Sequence, residues 1–125
     1  MAGESMEKIL IVEDNKTLSS ILKQRLEKDG FLIDIVEGGF ALLAYLRDAE
    51  EPDAVILDLF IPEKSGLELL DSLTNKWGKA KIFIYTAQVN LKSACLRYPA
   101  VCRFFKKTED MKSLIEAIKE ELRTR

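Results

Sequence analysis

Five residues whose side chains suit metal and phosphoryl chemistry each lie at the end of a short apolar segment. In chain order they are Glu13, Asp14, Asp58, Thr86 and Lys107. Apolar segments of this length are typical of buried strands, and an open parallel sheet binds its ligands outside the carboxyl ends of its strands. We therefore expect three carboxylates, one hydroxyl and one ammonium to converge at one edge, where they suit a hard cation and a phosphoryl group.

Strand-like and helix-like segments alternate five times along the chain. The predicted strands cover residues 9–12, 31–36, 54–57, 81–85 and 101–105. The last helix has the clearest pattern, because apolar residues recur at helical spacing from Met111 to Leu122. This alternation predicts a doubly wound, flavodoxin-like (βα)5 fold of the α/β class. Its five parallel strands are expected in the order 2-1-3-4-5, with helices on both faces of the sheet.

The composition excludes several kinds of functional site within this chain. Histidine is absent from the 125 residues, which excludes a Ser-His-Asp triad, a histidine-ligated metal and a phosphohistidine carrier. Cys95 and Cys102 have no CxxC spacing, and in a reducing cytosol we expect both to be buried or half-buried apolar residues. The net charge of −2 gives no electrostatic reason to expect binding to nucleic acid or to an anionic membrane.

The length and the apolar pattern predict one domain with a cytoplasmic location. No apolar run approaches the roughly 20 residues that span a bilayer, and no signal peptide is visible. We interpret residues 1–6 as an N-terminal extension or a cloning remnant, and residues 7–125 as a single domain.

The predicted strand order brings the acidic residues together. Strands 1 and 3 are neighbours in that order, so Asp14 and Asp58 would lie side by side with Glu13 close by. Like charges at such range repel and raise each other's pKa, and a bound Mg²⁺ removes that cost. Asp58 can then act as a nucleophile towards phosphorus, since carboxylates form aspartyl phosphates. Thr86 can donate a hydrogen bond to a phosphoryl oxygen, and Lys107 can neutralise its charge.

Each of these residues has a simpler interpretation when it is considered alone. The acidic pair and Asn15 would serve only to cap the first helix, with Asn15 as the capping residue. A single aspartate after a strand is usually a cap or a turn residue. Thr86 would be a polar residue that ends a strand, and Lys107 would be a charged residue exposed to solvent. The acidic pair, Asp58, Thr86 and Lys107 occupy the ends of four strands in one short domain. This combination favours a site for metal and phosphoryl chemistry.

Four short motifs carry a resemblance to a known family. They are Lys8 to Asp14 (KILIVED), Leu57 to Pro62 (LDLFIP) with Gly66 to Leu69 (GLEL) after it, Tyr85 to Ala87 (YTA), and Phe104 to Lys107 (FFKK). Each motif is weak alone, but together they are highly specific and span nearly the whole chain. The chain resembles the receiver domains of bacterial two-component response regulators, in particular those like the chemotaxis regulator.

The resemblance implies a role for each acidic residue. Asp58 would accept a phosphoryl group in a Mg²⁺-dependent reaction. Glu13, Asp14 and Asp58 would hold the Mg²⁺ directly or through water, and the backbone carbonyl of Phe60 would be a further metal ligand. The domain would be a signalling phosphoacceptor rather than an enzyme, assisting only its own phosphorylation and dephosphorylation.

The resemblance also implies a switch and a set of partners. Phosphorylation would draw the Thr86 hydroxyl and Lys107 towards the site, and the ring of Phe104 would fill the space behind Thr86. A sensor histidine kinase or a phosphotransfer protein would be the phosphodonor. A downstream protein or a separate effector domain would read the changed surface, without direct binding to nucleic acid or membrane.

The chain departs from the family pattern in several places. Thr108 follows Lys107 where the family usually has a proline, often after a cis peptide bond. The fourth helix, over residues 91–96, is predicted to be short. Phe60 is unusually bulky, and with Gln88 it flanks the path of an attacking water. We predict that the Phe60 ring shields the phosphoryl group and slows dephosphorylation.

Three other functions are compatible with parts of this pattern. A hydrolase of the haloacid dehalogenase type needs a second aspartate two positions after the first, where this chain has Phe60. A flavin carrier needs a phosphate loop after the first strand, where Glu13 and Asp14 would repel a phosphate. The alternative that remains is a degenerate receiver that acts as a protein-interaction module without phosphorylation.

Overall fold

The computed structural model describes residues 6–123 as five strands and five α-helices. The strands are β1 (Lys8–Val12), β2 (Leu32–Val36), β3 (Ala54–Leu57), β4 (Lys81–Thr86) and β5 (Val101–Lys106). The helices are α1 (Lys16–Lys28), α2 (Gly39–Asp48), α3 (Gly66–Lys76), α4 (Lys92–Leu96) and α5 (Met111–Arg123), with a short 3-10 turn (Val89–Leu91) before α4. Apart from Met6, the predicted N-terminal extension lies outside the described residues.

The strands form one parallel sheet in the order β2-β1-β3-β4-β5, which confirms the predicted fold class. The strand order reverses between β1 and β3, and ligands of doubly wound folds bind at such a switch point. Val12 at the end of β1 is in register with Leu57 at the end of β3. The residues that follow these two strands therefore start from adjacent positions.

Both faces of the sheet are covered because its central strands are apolar along their whole length. Leu10 of β1 packs in a cluster with residues of α2, α3 and α4. Ile9 and Ile11 point the other way, into a cluster with residues of α1 and α5. All three side chains are fully buried, and burial of this kind stabilises the fold by about 1.5–3 kcal/mol for each side chain. The sheet is thus a rigid base for whatever its edge carries.

Side chains cap two of the helices that start near the carboxyl edge of the sheet. Asn15 is the N-cap of α1, and its Oδ1 accepts a hydrogen bond from the N–H of Leu18 at 3.0 Å. Ser65 caps α3 in a reciprocal capping box with Glu68. Asn15 thus performs the capping that the simpler interpretation assigned to this run, and the acidic pair before it is not required for that purpose.

Four strand limits differ from the predicted ones by a single residue. β1 begins one residue earlier than predicted, because Lys8 pairs with Leu32 of β2. β2 begins at Leu32 because the residue before it is bonded to the end of α1. The N–H of Phe31 donates a hydrogen bond to the carbonyl of Leu26 at 3.2 Å. β4 and β5 each run one residue further than predicted, because Thr86 and Lys106 are paired in the ladder. Thr86 is therefore the last residue of β4, and Lys107 directly follows β5.

The remaining predictions on the fold concern the cysteines, the fourth helix and the membrane. Cys95 is buried and Cys102 is half-buried, as expected. The fourth helix is short, as predicted, and covers only Lys92–Leu96. Across residues 6–123, no helix combines the length and the apolar character that crossing a membrane requires.

Candidate functional site

The hydrogen-bond ladder of the sheet continues past the strand ends and fixes three of the predicted site residues. In each case the backbone N–H donates to a carbonyl of the neighbouring strand. The bonds run from Glu13 to Val36 at 3.0 Å, from Asp58 to Val12 at 3.1 Å and from Lys107 to Thr86 at 3.0 Å. The main chain thus holds these residues at one edge before their side chains make any contact.

Glu13, Asp14 and Asp58 form a cluster of carboxylates at this edge. One carboxylate oxygen from each residue lies within 4.8 Å of the other two. Glu13 and Asp58 are only 2% and 3% exposed, whereas Asp14 faces solvent. Mg²⁺ prefers oxygen ligands and keeps several of its waters, so a carboxylate cluster open to solvent on one side fits this ion.

The ammonium of Lys107 lies between two buried carboxylates. Its Nζ is 2.7 Å from Oδ2 of Asp58 and 2.8 Å from Oε1 of Glu13. The other oxygen of Glu13 accepts a hydrogen bond from the N–H of Asn15 at 3.0 Å. The negative charge that the fold buries at this edge is therefore partly compensated by one cation from the end of β5.

The second oxygen of Asp58 accepts two hydrogen bonds. The Thr86 hydroxyl donates to Oδ1 at 2.8 Å, and the backbone N–H of Phe60 donates to the same atom at 3.0 Å. Thr86 is fully buried, and its own oxygen accepts a hydrogen bond from the N–H of Gln88 at 3.2 Å. With Lys107 on Oδ2, both oxygens are engaged, so the orientation of this carboxylate is set by three donors.

Two groups of the expected switch lie next to Asp58. Phosphorylation is expected to draw the Thr86 hydroxyl and Lys107 towards the site. Both groups already reach Asp58 in this structure, at 2.8 Å and 2.7 Å. Their movement towards the oxygens of a phosphoryl group on Asp58 stays a prediction.

The site changes the pKa of two of its members. Burial is the main reason that the pKa of Glu13 is raised, and the charge of Asp58 adds to it, while hydrogen bonds from Lys107 and Asn15 act in the opposite direction. Repulsion by Asp58 therefore contributes less to the raised pKa of Glu13 than burial does. Burial by itself would lower the pKa of Lys107, but its hydrogen bonds and ion pairs with Asp58 and Glu13 outweigh this effect and raise it.

The two predicted phenylalanines lie at different depths. The ring of Phe60 is 71% exposed at the edge that carries Asp58. Phe104 is partly buried, pairs in register with Ile84 of β4, and packs against the cluster that contains α2, α3 and α4. The peptide bond between Lys107 and Thr108 is trans, and no cis peptide bond occurs in the described part of the chain.

One residue of the loop after Asp58 was not predicted from the sequence. Glu63 has a φ of +83°, and its carboxylate accepts a hydrogen bond from the N–H of Phe40 at 2.9 Å. Nothing in the residue type signals this conformation, because glutamate has no preference for it. The only signal in the sequence is the pair Gly38 and Gly39, which allows another segment to approach closely.

The model of the response regulator receiver domain family matches residues 9–119 of the chain. Among solved structures, the chain is similar to a CheY-like receiver domain protein of Methanospirillum hungatei. The identity is 26%, the TM-score is 0.84, and the match covers 94% of each chain. It is also similar to the response regulator TrrA of Thermotoga maritima, solved in complex with Mg²⁺ and BeF. Here the identity is 32% and the TM-score 0.81, and the match covers 94% of this chain and 100% of that one.

Curated relatives point to the same family over part of their length. The transcriptional regulatory protein CpxR of Escherichia coli is 38% identical over 68 residues, which are 54% of this chain and 28% of that protein. The chain thus matches well under two thirds of this relative. The chain belongs to the receiver domain family of two-component response regulators.

Proposed function

We propose that this chain is a phosphoacceptor module in which Asp58 takes up a phosphoryl group in a Mg²⁺-dependent reaction. The observation that carries the proposal is the environment of this carboxylate. Lys107 binds one of its oxygens, while Thr86 and the N–H of Phe60 bind the other. A merely structural aspartate at a strand end needs no such convergence of a cation and a hydroxyl from two other strands.

The reaction is a displacement at phosphorus. A carboxylate oxygen of Asp58 forms a bond to phosphorus while the bond from phosphorus to the leaving atom of the donor breaks. The ammonium of Lys107 and the hydroxyl of Thr86 lie close enough to Asp58 to transfer their hydrogen bonds to oxygens of the incoming group. Catalysis of this kind consists of positioning and charge neutralisation.

The acidic cluster supports the metal requirement. Glu13, Asp14 and Asp58 would hold the ion, together with the backbone carbonyl of Phe60 that the family resemblance implies. When bound, Mg²⁺ supplies positive charge against the negative oxygens of the transferred group. The similar protein TrrA was solved with Mg²⁺ and BeF, which agrees with such a site in this family.

A degenerate receiver, acting without phosphorylation, is the alternative function. Such a module would have no use for a buried Asp58 that is paired with Lys107 and hydrogen-bonded to Thr86. Replacing a buried ion pair with apolar residues is often neutral or stabilising, so the fold alone does not require these charges. The complete set of groups therefore favours the phosphoacceptor.

The phosphodonor and the output follow from membership in the family and stay proposals. The donor is a sensor histidine kinase or a phosphotransfer protein, and the output is a downstream protein or an effector domain. Relatives such as CpxR are transcriptional regulators, and the chain matches 28% of that protein. The absence of direct nucleic acid binding therefore stays a prediction for residues 7–125 alone, as does the cytoplasmic location.

Labelling with a small acyl phosphate tests the proposed function. In the presence of Mg²⁺, the intact mass of the parent should increase by one phosphoryl group, and a chelator should prevent the increase. Asp58→Asn should take up no label, because an amide cannot replace the carboxylate as nucleophile. A folded parent that takes up no label from the acyl phosphate or from any histidine kinase would favour the degenerate receiver.

The thermal stability tests the metal site separately. A ligand that binds only the folded state raises the melting temperature, so Mg²⁺ should stabilise the parent. Asp14→Asn removes one carboxylate of the cluster without disturbing the buried core, since Asp14 is exposed. The stabilisation by Mg²⁺ should disappear in this variant. An unchanged effect of Mg²⁺ would place the ion elsewhere.

A further inference from the structure

One glutamate links the loop after β3 to the start of α2. Glu63 adopts a left-handed backbone conformation with a φ of +83°, which is sterically unfavourable for a residue with a Cβ. Its Oε1 accepts a hydrogen bond from the N–H of Phe40 at 2.9 Å, in the first turn of α2. The N-cap of this helix, Gly38, has no side chain to do so. The carboxylate of Glu63, from a distant segment, therefore caps the N-terminus of α2. The dipole of a helix favours negative charge at this end.

The backbones of the two segments are also in direct contact. The N–H of Gly39 donates to the carbonyl of Pro62 at 3.0 Å. A Cβ at Gly39 would lie 2.6 Å from Cγ of Lys64, and a Cβ at Gly38 would lie 2.9 Å from Oε1 of Glu63. The glycine pair thus makes room for the loop, and the unfavourable φ of Glu63 is maintained by contacts on both of its sides.

The same loop reaches the acceptor carboxylate. It begins directly after Asp58, and the N–H of Phe60 donates to Oδ1 of that residue at 3.0 Å. Its far end is fixed by Ser65, which caps α3. Between these two points, Leu59 and Ile61 are buried in the same apolar cluster as residues of α2. Pro62 and Glu63 add hydrogen bonds to the start of that helix.

We propose that Glu63 is a positioning residue for phosphorylation. By fastening the loop to α2, it holds the Phe60 backbone against Asp58 and so helps to orient the acceptor carboxylate. The part of this proposal that concerns the reaction rests on the proposed function, whereas the part that concerns the loop does not. The competing explanation is that Glu63 caps α2 and has no influence on the site.

Three substitutions of Glu63 separate these explanations. Glu63→Ala removes the carboxylate and keeps the steric cost of the positive φ, whereas Glu63→Gly removes both the carboxylate and that cost. Glu63→Gln keeps an oxygen that accepts the hydrogen bond. Glu37→Ala is the matched control, because Glu37 is an exposed carboxylate close to the same end of α2. Circular dichroism and urea unfolding of each variant establish the folded fraction, to which every rate is referred.

Two measurements are made on each variant. The first is the labelling rate with a small acyl phosphate at saturating Mg²⁺. We expect Glu63→Ala and Glu63→Gly to label about fivefold more slowly, the factor that corresponds to about 1 kcal/mol. Glu63→Gln and Glu37→Ala should stay within about twofold of the parent, which for Glu63→Gln is a difference below about 0.4 kcal/mol. The second is amide hydrogen exchange without any donor, which should become faster at both Phe40 and Phe60 in Glu63→Ala.

Each outcome decides the proposal. Faster exchange at Phe40 alone, with parental exchange at Phe60 and a parental labelling rate, would show that Glu63 only caps the helix and would overturn it. Equal losses in Glu63→Gln and Glu63→Ala would rule out the hydrogen bond as the cause and would also overturn it. If the parent takes up no label at all, the proposed function fails, and the exchange rates at Phe40 and Phe60 still decide whether Glu63 positions the loop.

Discussion

Nζ of Lys107 lies 2.7 Å from Oδ2 of Asp58, although the two residues are 49 positions apart in the chain. Both carboxylates that Lys107 contacts are buried, and the lysine side chain is 24% exposed. An ammonium that is held in this position stabilises buried carboxylates before phosphorylation and is available to the phosphoryl oxygens afterwards. The same contact thus serves both the fold and the proposed reaction.

Lys107→Met should destabilise the fold, because it leaves the charges of Asp58 and Glu13 without their cation. Breaking a fully buried pair on one side costs 3–5 kcal/mol, and we expect about 2 kcal/mol for this partly exposed lysine. Urea unfolding in the presence of a chelator measures the loss. Lys119→Met is the control, since the ion pair of Lys119 with Asp29 lies at the surface, where such pairs contribute about 0–1 kcal/mol. Equal losses in the two variants would contradict this role of Lys107.

The same substitution should strengthen the binding of Mg²⁺. In the parent, the ammonium competes with the ion for the charge of Asp58 and Glu13. Without Lys107, the carboxylates repel each other and a divalent cation relieves more of that repulsion. The melting temperature should therefore rise more on addition of Mg²⁺ in Lys107→Met than in the parent. A smaller rise would mean that Lys107 assists the metal rather than competing with it.

The raised pKa of Glu13 predicts how stability depends on pH in the absence of metal. The folded state binds the proton of Glu13 more tightly than the unfolded chain does, chiefly because the carboxyl is buried. Its contribution to stability is therefore fully present below the ordinary pKa of 4.5 and is lost as the pH rises through the raised folded value. Relative to Glu13→Gln, the free energy of unfolding of the parent should fall over this range.

Urea unfolding at a series of acidic to neutral pH values, with a chelator present, measures this difference. Excess Mg²⁺ should weaken the dependence, because a neighbouring cation favours the ionised carboxylate. A parent that becomes more stable than Glu13→Gln as the pH rises would show that Lys107 outweighs burial at this residue.

Thr86→Ala should separate phosphorylation from the switch. The variant loses the hydroxyl that donates to Oδ1 of Asp58, but Lys107 and the N–H of Phe60 still hold the acceptor. It should accept phosphate and yet show smaller phosphorylation-dependent NMR shifts around Phe104, and Thr86→Ser, which keeps the hydroxyl, should behave like the parent. Shifts that persist in full in Thr86→Ala would mean that Phe104 responds through another route.

Phe60→Asn should shorten the life of the phosphorylated state several-fold. Phe60 is 71% exposed and lies two residues after Asp58, and we expect its ring to limit the approach of water to phosphorus. The decay of the label after removal of the donor measures the lifetime. Ile21→Asn replaces an exposed apolar residue on α1 and controls for a general effect of such a substitution. An equal or longer lifetime in Phe60→Asn would exclude shielding by this ring.

Residue types at strand ends were sufficient to predict most of this site. Glu13, Asp58 and Lys107 each follow a strand that is recognisable from its apolar residues, and the ladder of the sheet holds their backbones in place. The fold was predictable for the same reason, since its central strands are apolar throughout and alternate with helices. The site and the fold could both be predicted because each strand and each helix shows its own pattern of residue types.

The parts that escaped prediction depend on contacts between distant segments. The conformation of Glu63 is stabilised by α2, which lies on another part of the chain, and no local preference announces it. The way in which the two oxygens of Asp58 are divided between Lys107, Thr86 and the Phe60 backbone is likewise set by tertiary geometry. The chemical groups were identified, but their pairing in the structure was not.

Mapping the phosphoryl group to a residue is the sharpest test of Asp58 as the phosphoacceptor. After labelling with a small acyl phosphate and Mg²⁺, borohydride reduces an aspartyl phosphate to a stable alcohol that peptide mass spectrometry locates. We expect this modification to appear at Asp58, to disappear when Mg²⁺ is chelated, and to be absent from Asp58→Asn. A modification at Asp14 or at any other carboxylate, with Asp58 unmodified in the folded parent, would contradict it.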